Sequence, residues 1–200
     1  AQFADISAFS FYPGKNLGAC GEGGAIVTDN KGYAKFATLF RDHGMDEKYV
    51  HQILGRNHRM HAMQAAALKV KLNYIDEWNE KRRELAEIYI NELQDIENIE
   101  FQHTPQNIEP VYHLFVVLVK NREVFRKYLS DHGIGTSLHY KYPVHLQDAF
   151  SNLDYNRGDL PITEKIVSEN VSLPMYPELK KKQVSRVCNT IKNYFKNEVN

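Results

Sequence analysis

The 200-residue chain carries 25 basic and 25 acidic side chains, is 42% hydrophobic and has a pI near 7.3. A formally neutral chain of this length has room for one or two compact domains and offers no electrostatic case for nucleic acid or an anionic membrane as partner. No apolar run approaches the ~18 residues that cross a bilayer, so a cytoplasmic protein is expected, and the isolated Cys20 and Cys188 read as reduced thiols.

Asp5 to Tyr12 has the apolar and aromatic spacing of a buried strand, and Gly24 to Thr28 reads as a second strand paired with it across a glycine-rich turn. The connecting stretch, Ser10-Phe11-Tyr12-Pro13-Gly14-Lys15-Asn16-Leu17-Gly18-Ala19, sets one lysine among apolar neighbours. Partial burial there would disfavour the ammonium and leave more free amine, which can attack a carbonyl. Forming a Schiff base with pyridoxal phosphate is the main biological use of such an amine. The residues alone leave a second reading open, a glycine-rich hairpin with a solvent-reaching lysine. A phosphate loop does not fit, because Asn16 follows the lysine where G-x-x-x-x-G-K-[ST] requires a hydroxyl.

Asp29-Asn30 offers an N-cap to a helix over Lys31 to Phe40, with Tyr33, Phe36, Ala37 and Phe40 on one face and a stop near Arg41-Asp42-His43-Gly44. After the polar stretch Gly55 to Met60, residues His61 to about Leu93 favour helix, with neither Gly nor Pro and a bend expected near Trp78-Asn79. A domain boundary placed there separates 1–78 from 79–200. His58 and His61 could share a helix face, but the spacing offers no third ligand, so no metal site is expected. Farther on, Val111 to Val119 reads as a strand, Glu123 to Leu129 as a helix closed by Gly133, and Thr136 to Tyr140 as another strand. Ser172 to Leu179 reads as a rigid turn before a last helix containing Val184, Val187, Ile191 and Phe195.

The run SFYPGKNLGACGEGGAIVT closely resembles the lysine segment of the DegT/DnrJ/EryC1/StrS sugar aminotransferases, and the resemblance covers most of the chain. Gly55 to Ala66 is similar to that family's G-x-N-x-R-[LM]-x-x-[LIM]-Q-A-A, with His61 where many members have aspartate. Gly133 to Gln147 matches its G-I-G-T-x-x-H-Y-x-x-P-x-H-L-Q pattern. The fold implied is α/β, a fold-type-I, aspartate-aminotransferase-like transferase dependent on pyridoxal phosphate. Members are longer, with the lysine segment near their midpoint. The resemblance therefore implies the last part of the large domain at 1–78 and the small C-terminal α+β domain at 79–200.

The resemblance also implies roles. Lys15 would carry the cofactor and then serve as the base; Ser10 would contact the cofactor phosphate, and Asn57 would reach the partner subunit's cofactor across a homodimer with shared active sites. Arg59 would bind the nucleotide-sugar, with Tyr12 and His43 beside the substrate, and His139 and Tyr140 would hydrogen-bond sugar hydroxyls. The implied reaction moves an amino group from L-glutamate to a nucleotide-linked keto sugar, closest to dTDP-3-keto-6-deoxyhexoses, for deoxyamino-sugar or surface-polysaccharide biosynthesis. UDP-linked or C4-specific amination is the runner-up, and a non-catalytic binding module is the alternative of another class. Related dehydratases have histidine at the lysine position, so Lys15 favours transamination.

Overall fold

The computed structural model describes residues 4–198, and their contacts divide the chain into two compact units, Ala1–Glu77 and Trp78–Asn200. The first opens with an antiparallel hairpin of β1, Ser7–Ser10, and β2, Gly24–Val27, in register from Ser7 opposite Val27 to Ser10 opposite Gly24. Helix α1, Lys31–Arg41, starts where the sequence places a cap: Asn30 Oδ1 accepts from the N–H groups of Gly32 (2.8 Å) and Tyr33 (3.2 Å). It ends with the Gly44 N–H donating 2.7 Å to the Leu39 carbonyl. Gly44 has φ +74, and a Cβ there would lie 1.8 Å from the Ile53 oxygen, so glycine alone fits this closure.

A short hairpin follows, β3 at Met45–Glu47 and β4 at Val50–His51. Its strands are too short and too exposed to show a period-two pattern in the sequence. Helix α2, Ala62–Lys71, passes through a 3-10 turn at Leu72–Tyr74 into α3, Ile75–Leu93. His61 caps α2, its Nδ1 accepting from the Met63 N–H at 3.3 Å. The break expected near Trp78-Asn79 therefore falls earlier. The tighter turn at Leu72–Tyr74 interrupts the α-helical phase between α2 and α3.

The second unit is built on three antiparallel strands in the order β5-β6-β7: Ile99–Phe101, Phe115–Val119 and Asn170–Leu173. Phe115, Val117 and Val119 of β6 point into the core, and all of β7 is buried. Helices α4 (Arg122–Asp131), α5 (Pro161–Glu169) and α6 (Lys181–Glu198) complete the unit. Tyr89 of α3 stacks on Phe115 at 4.7 Å, while Phe125 of α4 meets Tyr194 of α6 edge-on at 5.2 Å.

Three strand expectations are corrected here. The strand expected to be buried over Asp5 to Tyr12 is confined to Ser7–Ser10 and is largely exposed, because it belongs to a two-stranded sheet with β2 alone. β6 begins at Phe115 instead of Val111, because Tyr112, at φ 38, turns the chain just before it. Thr136 to Tyr140 forms no strand beyond one bridge, Ser137 to Ser172, because the His139 N–H is taken by the Asn170 side chain instead of a ladder carbonyl. Ser172 and Leu173 belong to β7, and the turn before α6 starts at Pro174. Among the described residues no helix is long and apolar enough to cross a membrane. Among them, too, no group of three His, Cys, Asp or Glu is placed to hold a metal ion.

Candidate active site

Lys15 occupies the loop between β1 and β2. Beyond the strand ends the hairpin continues through Phe11 N–H to the Gly23 carbonyl and Ala19 N–H to the Phe11 carbonyl, each 2.8 Å. The Lys15 N–H closes the turn on the Tyr12 carbonyl at 2.8 Å. Gly18 lies so close to the start of that turn that a Cβ on it would be 2.3 Å from the Pro13 oxygen. Lys15 is half-buried by this packing, whereas Tyr12 is exposed. Ser10 ends β1, and its Oγ accepts from the Tyr12 N–H at 3.2 Å, which directs its own proton elsewhere. Ser10, Tyr12 and Lys15 thus share one compact loop. Helix α2 borders it: Gln64 Oε1 accepts from the Cys20 N–H at 2.8 Å, and Lys71 Nζ donates to the Gly18 carbonyl at 2.7 Å.

His43, Asn57 and Arg59 gather at the end of α1. The His43 N–H donates to the Arg56 carbonyl and the His58 N–H to the Arg41 carbonyl, both at 2.8 Å, and Asp42 bridges to Asn57. Arg59 Nη1 donates to Asp42 Oδ1 at 2.8 Å in an exposed pair. A guanidinium carries five donors, so this contact aims Arg59 and leaves most of its N–H groups for another acceptor. The His43 carbonyl accepts from His51 Nδ1 at 2.8 Å. Next to Arg59, the Met60 side chain comes within contact of the Gly23 position in the lysine loop. An open apolar cleft of about 930 Å³ lies against α1, lined by Phe9, Ile26, Tyr33 and Phe36 among others, and none of the expected site residues lines it.

His139 and Tyr140 lie in the second unit, held by two buried polar residues of β7. Asn170 Oδ1 accepts from the His139 N–H at 3.1 Å, and its Nδ2 donates to the Tyr140 carbonyl at 2.9 Å. Nδ2 also reaches the carbonyls of Ile166 and Val167, capping α5. Ser172 Oγ pairs with His139 Nδ1 at 2.7 Å, which leaves Nε2 as the ring nitrogen for an incoming group. Tyr140 is 71% exposed. The segment after it is pinned to α5 by His145 Nε2 donating to Glu164 Oε1 at 3.2 Å. The Gly158 N–H, 2.7 Å from the same oxygen, and then His145 hold the Glu164 carboxyl below the usual carboxylate range. Sequence reasoning missed Asn170, Ser172, Glu164, Gln64 and Lys71. The only sequence signal at these positions was Gln64, within the Q-A-A motif.

A half-buried lysine on a glycine-framed loop in a mixed α/β chain fits the fold-type-I transferases, and solved sugar aminotransferases superpose on this chain with TM-scores of 0.92 and 0.89. The chain belongs to the DegT/DnrJ/EryC1/StrS aminotransferase family, whose profile matches residues 1–192. It is 42% identical to the dTDP-3-amino-3,6-dideoxy-alpha-D-galactopyranose transaminase of Aneurinibacillus thermoaerophilus, over 95% of this chain and 52% of that one. It is 32% identical to the UDP-N-acetyl-3-dehydro-alpha-D-glucosamine 3-aminotransferase of Acidithiobacillus ferrooxidans, over 95% of this chain and 51% of that one. The crystal structure of S. venezuelae DesV in complex with a ketimine intermediate superposes with a TM-score of 0.92 at 39% identity, covering 94% of this chain and 51% of that chain. The chain thus spans about half the length of the curated relatives it matches.

Proposed function

We propose that this protein is an aminotransferase dependent on pyridoxal phosphate, moving an amino group from L-glutamate to a nucleotide-linked keto sugar. Residues 1–78 supply the lysine-bearing part of the large domain and 79–200 the small domain. The observation that carries this reading is the half-buried Lys15, held with Ser10 on one compact loop in a chain of this family.

The residues present suit the cofactor. A primary amine fits an aldehyde, while the Ser10 hydroxyl, the exposed Asn57 amide and the Arg59 donors left over from Asp42 are chemistry for anionic phosphates. Pyridoxal phosphate supplies the electron sink that makes an amino acid's α-proton labile. Lys15 Nζ would hold the cofactor and would serve as the base for the donor's α-proton. Arg59 binds the nucleotide part of the sugar substrate, with Tyr12 and His43 beside it. His139 and Tyr140 hydrogen-bond sugar hydroxyls. Asn57 serves the partner's site in a cytoplasmic homodimer.

The finer reading is a dTDP-3-keto-6-deoxyhexose acceptor for deoxyamino-sugar or surface-polysaccharide biosynthesis. The similarity to the Aneurinibacillus transaminase favours it, and the similarity to the Acidithiobacillus enzyme favours a UDP-linked 3-keto sugar as second reading. The test is borohydride reduction of the full-length protein with pyridoxal phosphate, with peptide mass spectrometry over residues 9–31. A phosphopyridoxyl adduct on Lys15 that Lys15→Ala abolishes is expected, and an unmodified Lys15 in folded protein would refute the proposal. A panel of dTDP- and UDP-linked 3-keto and 4-keto sugars then decides the acceptor.

A further inference from the structure

We infer that Gln64 and Lys71 of α2 are positioning residues for Lys15, which deepens the reading of Lys15 as the cofactor-bearing lysine and rests on it. The two residues stand seven apart, on the face of α2 that also carries the buried Leu68. From there each makes one side-chain bond to the main chain of the loop: Lys71 Nζ to the Gly18 carbonyl at 2.7 Å and Gln64 Oε1 to the Cys20 N–H at 2.8 Å. One bond holds an acceptor and the other a donor, three and five residues past Lys15.

This clamp reaches the lysine through the packing of the loop. Gly18 lies against Pro13, a Cβ there falling 2.3 Å from the Pro13 oxygen, and Pro13 sits inside the Tyr12 to Lys15 turn. Fixing Gly18 therefore fixes the turn from which the Lys15 side chain springs. Gly21 runs equally close to the clamp, since a Cβ on it would meet Gln64 Nε2 at 2.6 Å. Lys71 is partly buried while its ammonium is spent on a backbone carbonyl, a placement that a lysine serving only solubility does not need. Without these bonds the loop keeps its covalent lysine and loses its fixed starting point. Lys15 must then find its partner's aldehyde carbon from a wider set of positions.

The test compares the full-length wild type with Gln64→Leu and Lys71→Met, and with Gln64→Glu and Lys71→Arg, which keep the acceptor and the donor. Each is mixed with pyridoxal phosphate, the rate of its absorbance change is followed, and borohydride reduction with peptide mass spectrometry locates the adduct. The expected result is an adduct on Lys15 in every protein, formed about fivefold more slowly in Gln64→Leu and Lys71→Met, the factor that one ordinary hydrogen bond represents. The rate returns toward wild type in Gln64→Glu and Lys71→Arg. An unchanged rate in Gln64→Leu and Lys71→Met, or an equal loss in the conservative pair, would overturn the clamp while leaving Lys15 as the attachment residue. No adduct on Lys15 of the wild type would overturn the underlying reading and the clamp with it.

Discussion

Asn170→Ala removes the side chain that ties the His139-Tyr140 peptide to β7 and α5. The Asn170 amide has two N–H protons to share among three carbonyls, and its oxygen accepts one further bond, so it makes three bonds' worth of contact. At about 1 kcal/mol net for each, the loss is about 3 kcal/mol, and it is not relieved by solvent because Asn170 is only 1% exposed. Truncation also leaves the His139 N–H and the Tyr140 carbonyl to find new partners. Urea unfolding of the full-length protein reads the loss as a lower midpoint at unchanged slope. Steady-state kinetics should show KM for the sugar acceptor raised about tenfold, the equivalent of ~1.4 kcal/mol of lost binding. The glutamate half-reaction should stay at the wild-type rate. A drop in stability below about 1 kcal/mol would refute the hydrogen-bond accounting. Loss of stability with KM unchanged would refute the link from Asn170 to the sugar pocket.

Glu164→Gln tests the pin on the segment after Tyr140. The folded-state pKa of Glu164 lies below its ordinary value, so its contribution is present above the unfolded-state pKa and is lost as pH falls through the folded one. The variant should melt below wild type at neutral pH, with the gap closing as pH falls below about 4, the ordinary glutamate range; a gap independent of pH would refute the carboxylate's role. The two cysteines should separate by accessibility. Burial pushes the Cys188 thiol up to about 12, while Cys20 is exposed. A maleimide at about pH 8 should label Cys20 in native protein and Cys188 only after denaturation, and native labelling of Cys188 would contradict the packing of α6 against α4.

What the sequence by itself determined was local. Asn30 announced the start of α1 because an N-cap needs only a short side chain and the two N–H groups beyond it. The pairing of β1 with β2 across the lysine loop was legible because glycine spacing is a property of neighbours in the chain, whereas the exposure of both strands was not. The motifs that single out Lys15, Asn57, Arg59, His139 and Tyr140 as expected site residues are local for the same reason. Tertiary structure decided which distant groups meet them. The 3-10 turn at Leu72–Tyr74 has neither Gly nor Pro to announce it in the sequence. The segment from Thr136 to Tyr140 has a strand's composition, yet it gives its His139 N–H to Asn170, thirty-one residues on. Lys71 reads as one more surface lysine until the fold brings Gly18 to its ammonium across fifty-three residues. Side chains that satisfy buried backbone groups leave no periodic trace, because their partners are chosen by packing and not by spacing.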